Sequence, residues 1–151
     1  MARVLQNTVT IAAPTTAVWA VLTAFDERPE WDPYYREVHG ELAVGARLTV
    51  RASLNDTSRP VTSRPRIVAV EPGRHLAWTN RFGLPGLLDS RNDFRLGSPA
   101  PGVTAMSQTE RFSGLLVTPA RRMLNDVEAR LGQWVAALKL RAEERSGPSR
   151  R

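Results

Sequence analysis

The stretch "PARRMLNDVEARLGQWVAALKL", residues 119–140, decides the fold. Before Pro119 the chain mostly alternates apolar and polar residues, whereas after it apolar residues recur every three or four positions. Those positions are Ala120, Met123, Leu124, Val127, Leu131, Trp134, Val135 and Leu138. The spacing predicts one long helix over residues 118–143 with a single apolar face. Such a face is buried against another layer of the fold, and the preceding residues supply that layer.

Six runs with the alternation of β-strands precede the predicted helix, and turn signals separate them. The runs are "REVHGEL", "ARLTVRASL", "VTSRPRIVAV", "HLAWTNRF", "LLDSRNDFRL" and "VTAMSQTERF". A further strand, residues 3–11, is followed by a helix that starts at Pro14. Consecutive hairpins indicate an antiparallel sheet, and helices near the ends of the sequence indicate an α+β fold. We therefore predict a curved seven-stranded sheet with the long helix across its concave face.

The composition fits one small globular domain. The chain has 151 residues, of which 42% are hydrophobic and 24% are charged, and this length allows one substantial core. No apolar run approaches the roughly 18 residues that cross a bilayer, and no signal-peptide core is visible, so the cytoplasm is the expected location. We predict one domain over residues 1–145 and a basic flexible tail over residues 146–151.

The residue inventory excludes several kinds of chemistry. The chain has no cysteine and two histidines, which removes disulfides, thiolate nucleophiles and cysteine-ligated metals. The only two histidines, His39 and His75, leave little material for an imidazole metal cluster or for a Ser/His/Asp triad. Surface or structural roles are expected for both. We expect neither a metal nor a cofactor.

Arginine dominates the positive charge, since 20 of the 21 basic residues are arginine and the net charge is +6. A nucleic-acid interface requires clustered arginines together with stacking aromatics or a groove-reading helix. Here the arginines alternate with apolar residues along the predicted strands, which places them on the outer face of the sheet. Nucleic acid is therefore disfavoured as a partner.

Polar residues stand among the apolar ones on the inward faces of three neighbouring strands. The inward sets are Leu76, Trp78, Asn80 and Phe82, then Ser90, Asn92, Phe94 and Leu96, then Met106, Gln108, Glu110 and Phe112. An unpaired buried amide costs about 1–3 kcal/mol. One explanation is that these groups bond to one another or to outer arginines across a bulge, or that the register differs by one residue. The other is that they line a cavity in which water or a ligand satisfies them. Apolar walls with a few converging polar groups are typical of ligand pockets.

Glu110 is the candidate catalytic residue, because burial of a carboxyl group raises its pKa and suits it to general acid–base chemistry. By alternation Asp93 points away from Glu110, so a mechanism with paired carboxylates is not supported. No histidine is adjacent to Ser90 or Ser113 to activate either hydroxyl.

Several motifs, taken in order, resemble a known superfamily. They include "IAAPTTAVWAVLTAFDERPEWDP" at residues 11–33, "VEPGRHLAWTNRFGLPGLLDSRNDFRL" at 70–96 and "ERFSGLL" at 110–116. They resemble the START/Bet v 1-like superfamily, particularly its bacterial polyketide cyclase/dehydrase and lipid-transport members, over about residues 4–143. The resemblance implies a helix-grip fold: a seven-stranded antiparallel sheet, two short helices at its open end and a long C-terminal helix closing a hydrophobic tunnel.

The resemblance implies functions that range from lipid or steroid binding to cyclisation of aromatic polyketides. Relatives often have histidine two residues before the phenylalanine that corresponds to Phe94. This chain has Asn92 there, so the resemblance carries no histidine acid or base into the cavity. The segment "ERPEWDPYYREV", residues 27–38, would lie at the tunnel mouth, with Trp31 either lining the entrance or packing under the C-terminal helix.

The favoured function is binding or transport of a small hydrophobic or amphipathic ligand, such as a lipid, a sterol or a polyketide-like molecule. The expected ligand-binding residues are Trp31, Tyr34, Val50, Trp78, Asn80, Phe82, Asn92, Phe94, Met106, Gln108, Met123 and Val127. The alternatives are a polyketide cyclase- or dehydratase-like enzyme that uses Glu110 as acid or base, and a protein-interaction module. A monomer or a homodimer is expected.

Overall fold

The computed structural model describes residues 2–53 and 57–147, and in these ranges eight strands and three α-helices follow one another. The strands are β1 (Ala2–Ile11), β2 (Tyr35–His39), β3 (Thr49–Ala52), β4 (Val61–Ser63), β5 (Arg66–Glu71), β6 (His75–Phe82), β7 (Leu88–Ala100) and β8 (Val103–Ser113). The helices are α1 (Thr15–Thr23), α2 (Arg28–Trp31) and α3 (Arg121–Ser146), with a short 3-10 helix at Phe25–Glu27. Among these described residues no helix has the length and apolar character needed to span a membrane.

The strands form two antiparallel sheets, so the prediction of one sheet of seven strands is wrong. The larger sheet has the order β1-β8-β7-β6-β5, and the smaller sheet has the order β2-β3-β4. The run over residues 61–70 divides at Arg64 and Pro65 into β4 and β5, which join different sheets. Proline has no amide hydrogen for a strand ladder, so the pairing changes at that point. The fold class is as predicted: a long C-terminal helix packs on an antiparallel α+β framework.

Helix α3 carries the predicted apolar face against the sheet. It begins at Arg121, three residues after the predicted start, and continues to Ser146, the first residue of the predicted tail. Its buried residues are Leu124, Val127, Leu131, Trp134, Val135, Leu138 and Ala142. Residues 148–151 of the predicted tail and Leu54 of a predicted strand lie outside the described residues.

An aromatic cluster fills the space between the larger sheet and the C-terminal half of α3. The ring centroids of Trp78 and Phe94 are 4.9 Å apart, and those of Phe94 and Trp134 are 5.2 Å apart. These tilted pairs have the separation that aromatic side chains prefer in protein cores. The large rings close this half of the interface, so open space is found beside the N-terminal half of α3.

Different contacts hold the helix and the smaller sheet to the larger sheet. Lys139 Nζ donates a 2.8 Å hydrogen bond to the Thr10 carbonyl, and Arg3 Nη2 lies 2.9 Å from Glu128 Oε2, so α3 is fastened along β1. The smaller sheet meets β5 through the turn before β3, where Ile67 N donates a 2.9 Å bond to the Ala46 carbonyl. The space left between these two attachments contains the candidate site.

Candidate functional site

A cavity of about 330 Å³ lies between the smaller sheet, the inner face of β6–β8 and the first turns of α3. Most of its wall is apolar: Tyr35, Val50, Ala52, Val61, Pro65, Trp78, Phe82, Leu88, Phe112, Met123, Val127 and Leu131. The remaining lining residues are Ser63, Asn80, Ser90, Asn92, Glu110 and Arg130. A mostly apolar wall with a few polar groups is the usual make-up of a small-molecule site.

Strand register brings four of the polar residues together. Asn92 on β7 lies directly opposite Glu110 on β8, and Ser90 lies directly opposite Asn80 on β6. Side chains that face each other on neighbouring strands have Cβ atoms about 4.5–5.5 Å apart. Asn80, Ser90, Asn92 and Glu110 therefore form one continuous polar patch on an otherwise apolar wall.

Glu110 is the titratable group of the polar patch. Burial raises the pKa of Glu110 from 4.5 to about 7, although the positive charge of Arg130 and a hydrogen bond with Ser90 act in the opposite direction. The residue as a whole is half-buried, because the cavity leaves one side of it accessible. With a pKa near neutrality, its carboxyl group is able both to donate and to accept a proton under ordinary conditions.

Gln108, predicted to contact ligand, lies behind the cavity wall. It is fully buried, and its Nε2 donates a 2.8 Å hydrogen bond to Asn92 Oδ1. Its Oε1 accepts a 3.2 Å bond from Asn7 Nδ2. Both sequence interpretations therefore apply in part: Gln108 is satisfied by neighbouring amides, whereas Asn92 bonds to Gln108 and also lines the cavity.

Arg130 is a site residue that the sequence analysis missed. It reaches the cavity from α3, where its Nη1 donates a 2.8 Å hydrogen bond to the Ser53 carbonyl. Its guanidinium lies 5.9 Å from the ring centroid of Tyr35. Its spacing could have identified it from the sequence. Arg130 follows Val127 by three residues, so it borders the apolar face of the helix.

Trp31 and Tyr34 are not among the residues that line the cavity. The Trp31 ring packs against Trp134 with centroids 6.2 Å apart, as expected from the interpretation that placed it under the C-terminal helix. Tyr34 Oη donates a 2.6 Å hydrogen bond to Gln133 Oε1 on α3. The next residue, Tyr35, lines the cavity instead.

Phe94 and Met106 also lie away from the cavity, within the main core beside the aromatic cluster. The structure thus brings together eight of the predicted site residues: Val50, Trp78, Asn80, Phe82, Asn92, Glu110, Met123 and Val127. It does not place Trp31, Tyr34, Phe94, Met106 or Gln108 on the cavity wall. Whether the lining residues bind a ligand remains a prediction.

The two histidines lie outside the cavity. His39 is exposed, with its Nδ1 3.3 Å from Asp26 Oδ1. His75 is buried, and its Nε2 lies 2.8 Å from Asp93 Oδ1 on the outer face of the sheet. The polar chemistry of the cavity therefore depends on carboxyl, amide, hydroxyl and guanidinium groups.

Arg28 explains why the "RPEWDPYY" segment is rich in aromatic residues. Its side chain is buried, and its guanidinium carbon lies 4.4 Å from the Tyr35 ring centroid and 4.7 Å from that of Trp134. The Trp31 ring centroid is 5.1 Å away, and Arg28 Nε pairs with Asp32 Oδ2 at 3.2 Å. These cation–π contacts join α2 to α3 and support Tyr35 in the cavity wall.

A long helix over an antiparallel sheet, with a ligand-sized cavity between them, defines the START/Bet v 1-like class of proteins. The chain belongs to the polyketide cyclase / dehydrase and lipid transport family, whose sequence model matches residues 2–143. A search of curated protein sequences found no match to this chain.

Solved structures share the fold at low sequence identity. The Zhui aromatase/cyclase from Streptomyces sp. R1128 is 22% identical, with a TM-score of 0.79 over 99% of this chain and 98% of that one. A norcoclaurine synthase point mutant from Thalictrum flavum is 12% identical, with a TM-score of 0.77 over 97% and 98% of the two chains. A START superfamily protein from Mycobacterium smegmatis is 15% identical, with a TM-score of 0.69 over 95% and 96%.

Proposed function

We propose that this protein binds one small amphipathic molecule, most suitably a two-ring aromatic compound, in the cavity between the sheets and α3. The observation that carries the proposal is the arrangement of the wall, in which one continuous polar patch faces otherwise apolar surfaces. A ligand with an apolar body and one polar end matches this arrangement.

The size of the cavity favours a compact ligand. A volume of about 330 Å³ equals that of about eleven water molecules at ~30 Å³ each. At the packing density of protein interiors, a ligand of roughly a dozen to fifteen non-hydrogen atoms would fill it. Two fused rings with small substituents have this size, whereas a sterol with four rings and a side chain is considerably larger. A two-ring compound is therefore favoured over a sterol.

The polar patch favours an oxygen-bearing end. Asn92 Oδ1 is occupied by Gln108, so the Nδ2 group of Asn92 is the part available to a ligand. Arg130 offers further donors, and Glu110 is able to donate or accept according to its protonation. A phenolic hydroxyl or a ketone oxygen would satisfy these groups.

Apolar burial would supply most of the affinity. Burying about 300 Å² of apolar ligand surface at ~25 cal/mol per Å² is worth about 7 kcal/mol before the costs of association. We expect dissociation constants in the micromolar range for well-fitting compounds.

Binding is testable by titration with hydroxylated naphthalenes, using calorimetry and the emission of Trp78, which lines the cavity. Met123→Trp would occupy the cavity and abolish binding. The matched control is Leu140→Trp, which adds the same ring to the exposed side of α3. Unchanged binding by a folded Met123→Trp protein would refute the proposal. Native mass spectrometry and solvent extraction of freshly purified protein would identify a retained ligand.

The pKa of Glu110 favours a second candidate function, proton transfer to or from the bound molecule. A carboxyl group with a pKa of about 7 that faces a ligand cavity suits general acid–base catalysis, as in a cyclisation or dehydration of a polyketide-like substrate. Glu110→Gln would then abolish turnover while leaving binding within a few-fold of wild type. If an activity on such substrates survives in Glu110→Gln, this role is wrong.

A further inference from the structure

The outer face of the larger sheet carries a groove that opens on the opposite side of the sheet from the cavity, although Asn80 and Ser90 are among the lining residues of both. It has a volume of about 520 Å³ and lies across β5–β8, on the side that faces away from α3. Six arginines line it, and we call it the arginine groove: Arg47, Arg64, Arg66, Arg81, Arg91 and Arg111. The other lining residues are Thr79, Asn80, Asp89, Ser90 and Ser113. Arginines that are dispersed in the sequence thus converge on one surface.

Strand register places four of these arginines in a single row. Arg47 pairs with Arg66 across an isolated bridge, and Arg66 lies opposite Thr79. Thr79 lies opposite Arg91, which in turn lies opposite Arg111. The row crosses four strand spacings, a distance of about 19 Å at ~4.8 Å per spacing.

The row contains two unfavourable pairs of like charge. Arg47 faces Arg66, and Arg91 faces Arg111, and like charges directly opposite each other destabilise a sheet. A negatively charged ligand in the groove would replace this repulsion with attraction. In the free protein, repulsion between these arginines therefore lowers the stability of the sheet, and an anionic ligand would remove that repulsion.

The protein's own acids neutralise only part of the charge. Arg91 Nε lies 2.9 Å from Asp93 Oδ2, and Arg81 Nε lies 3.5 Å from Asp89 Oδ1. The side chains of Arg64, Arg66 and Arg111 form no hydrogen bond or ion pair with another residue in the described part of the chain. Three guanidinium groups are thus available to a ligand.

We propose that the arginine groove binds a polyphosphate group, that is, two or more linked phosphates. The planar guanidinium group donates two parallel hydrogen bonds to phosphate oxygens, and the hydroxyls of Thr79 and Ser113 add neutral donors. No aromatic residue is among those that line the groove, so the charged part of the ligand is the part recognised. The volume is that of a small-ligand site.

Calorimetric titration tests the proposal with four probes: inorganic phosphate, pyrophosphate, tripolyphosphate and ATP. We expect tripolyphosphate to bind about tenfold or more tightly than inorganic phosphate, because it engages several arginines at once. Affinity should fall several-fold between 50 mM and 200 mM salt. Equal affinities for ATP and tripolyphosphate would indicate a site for free polyphosphate, whereas tighter ATP binding would indicate a nucleotide. Absence of binding at millimolar tripolyphosphate would overturn the proposal.

Arg111→Gln is the informative variant, and Arg95→Gln is its matched control. Arg95 lies on the same outer face of the sheet but outside the groove. We expect Arg111→Gln to weaken tripolyphosphate binding about fivefold or more, the effect of losing one charge-assisted hydrogen bond near solvent, without lowering the melting temperature. If Arg95→Gln weakened tripolyphosphate binding equally, the anion would be attracted by the net charge of the protein and not by the groove. That result would overturn the proposed site. Tighter binding of a glutamate-rich helical peptide than of tripolyphosphate would also overturn it, in favour of a protein partner.

Discussion

Gln108 Nε2 donates a 2.8 Å hydrogen bond to Asn92 Oδ1, and this bond determines which part of the Asn92 amide is presented to the cavity. Because Oδ1 accepts this bond and Asn92 lines the cavity, Nδ2 is the donor that Asn92 has left to offer there. Asn7 holds Gln108 in turn through a 3.2 Å bond. Gln108 is thus a positioning residue for the polar patch, although it is not itself on the cavity wall.

Gln108→Leu removes both of these bonds and leaves the amides of Asn7 and Asn92 without a partner. Since an unsatisfied buried polar group costs about 1–3 kcal/mol, we expect the free energy of unfolding to fall by an amount in that range. Urea denaturation measures it. Gln6→Leu, at an exposed position of β1, is the control and should change little. A Gln108→Leu protein as stable as wild type would contradict this account.

Glu110→Gln should stabilise the protein at high pH. Because burial raises the folded pKa from 4.5 to about 7, the folded protein binds more protons than the unfolded chain between these values, and its stability falls as the pH rises through them. The loss is on the order of 3 kcal/mol at ~1.4 kcal/mol per pKa unit. Urea denaturation at pH 4 and pH 8 should show the variant gaining relative stability at pH 8. An equal difference at both pH values would argue against a buried carboxyl.

Arg130→Gln should raise the pKa of Glu110 above 7. The positive charge of Arg130 lowers this pKa. Without that charge, the effect of burial would raise the pKa further. Carbon-13 NMR of the side-chain carboxyl groups would follow the titration directly. A pKa that fell or stayed constant in Arg130→Gln would mean that the two groups do not interact across the cavity.

Tyr34 and Tyr35 should behave differently despite being adjacent. Tyr34→Phe loses the hydrogen bond to Gln133 and should cost about 0.5–1.5 kcal/mol of stability with little effect on ligand affinity. Tyr35→Leu alters the cavity wall and should weaken binding of a two-ring aromatic probe several-fold. Calorimetry on both variants separates these effects. Equal losses of affinity would mean that Tyr34 also contacts the ligand.

Arg28→Met should destabilise the protein strongly. It removes the partner of Asp32, which is 1% exposed, and leaves a buried carboxylate without its counter-charge. Breaking a buried pair on one side costs about 3–5 kcal/mol. The double variant Arg28→Met with Asp32→Asn, which removes the charge but keeps an acceptor for the 3.0 Å bond from Tyr34 N, should recover part of the loss, as measured by thermal or urea unfolding. No recovery would indicate that the cation–π contacts, and not the ion pair, carry the stability.

The order of the elements was predictable because it depends on local periodicity. The change from alternating to helical spacing at Pro119 predicted α3, and alternation along β6, β7 and β8 predicted which side chains share the inner face. That inner face contributes eight of the eighteen residues that line the cavity. The division of the sheet was not predicted, since Pro65 breaks the pairing of a run whose residues alternate normally.

The sequence could not show which of the inward-facing side chains reach the cavity and which are covered by other elements. Phe94 and Gln108 are inward-facing like Asn92 and Glu110, but they lie under α3 or behind a neighbouring amide. Their positions depend on where the aromatic cluster ends, which is a matter of packing between elements distant in sequence. Arg130 was missed for a related reason: the helical pattern was traced through apolar residues alone, whereas the stem of a charged side chain can also border the apolar face.

The unequal attachment of the cavity walls has a kinetic consequence. Helix α3 is fastened to β1 along its length, whereas another wall of the cavity belongs to the smaller sheet, in which β4, Val61–Ser63, has only three residues. Local opening takes place where the fewest interactions must break. For a ligand bound as proposed, fluctuations of the smaller sheet, not movement of α3, would then permit entry and release and would limit the residence time. The amides of β4 should exchange with deuterium well before those of β7, and a bound ligand should slow that exchange.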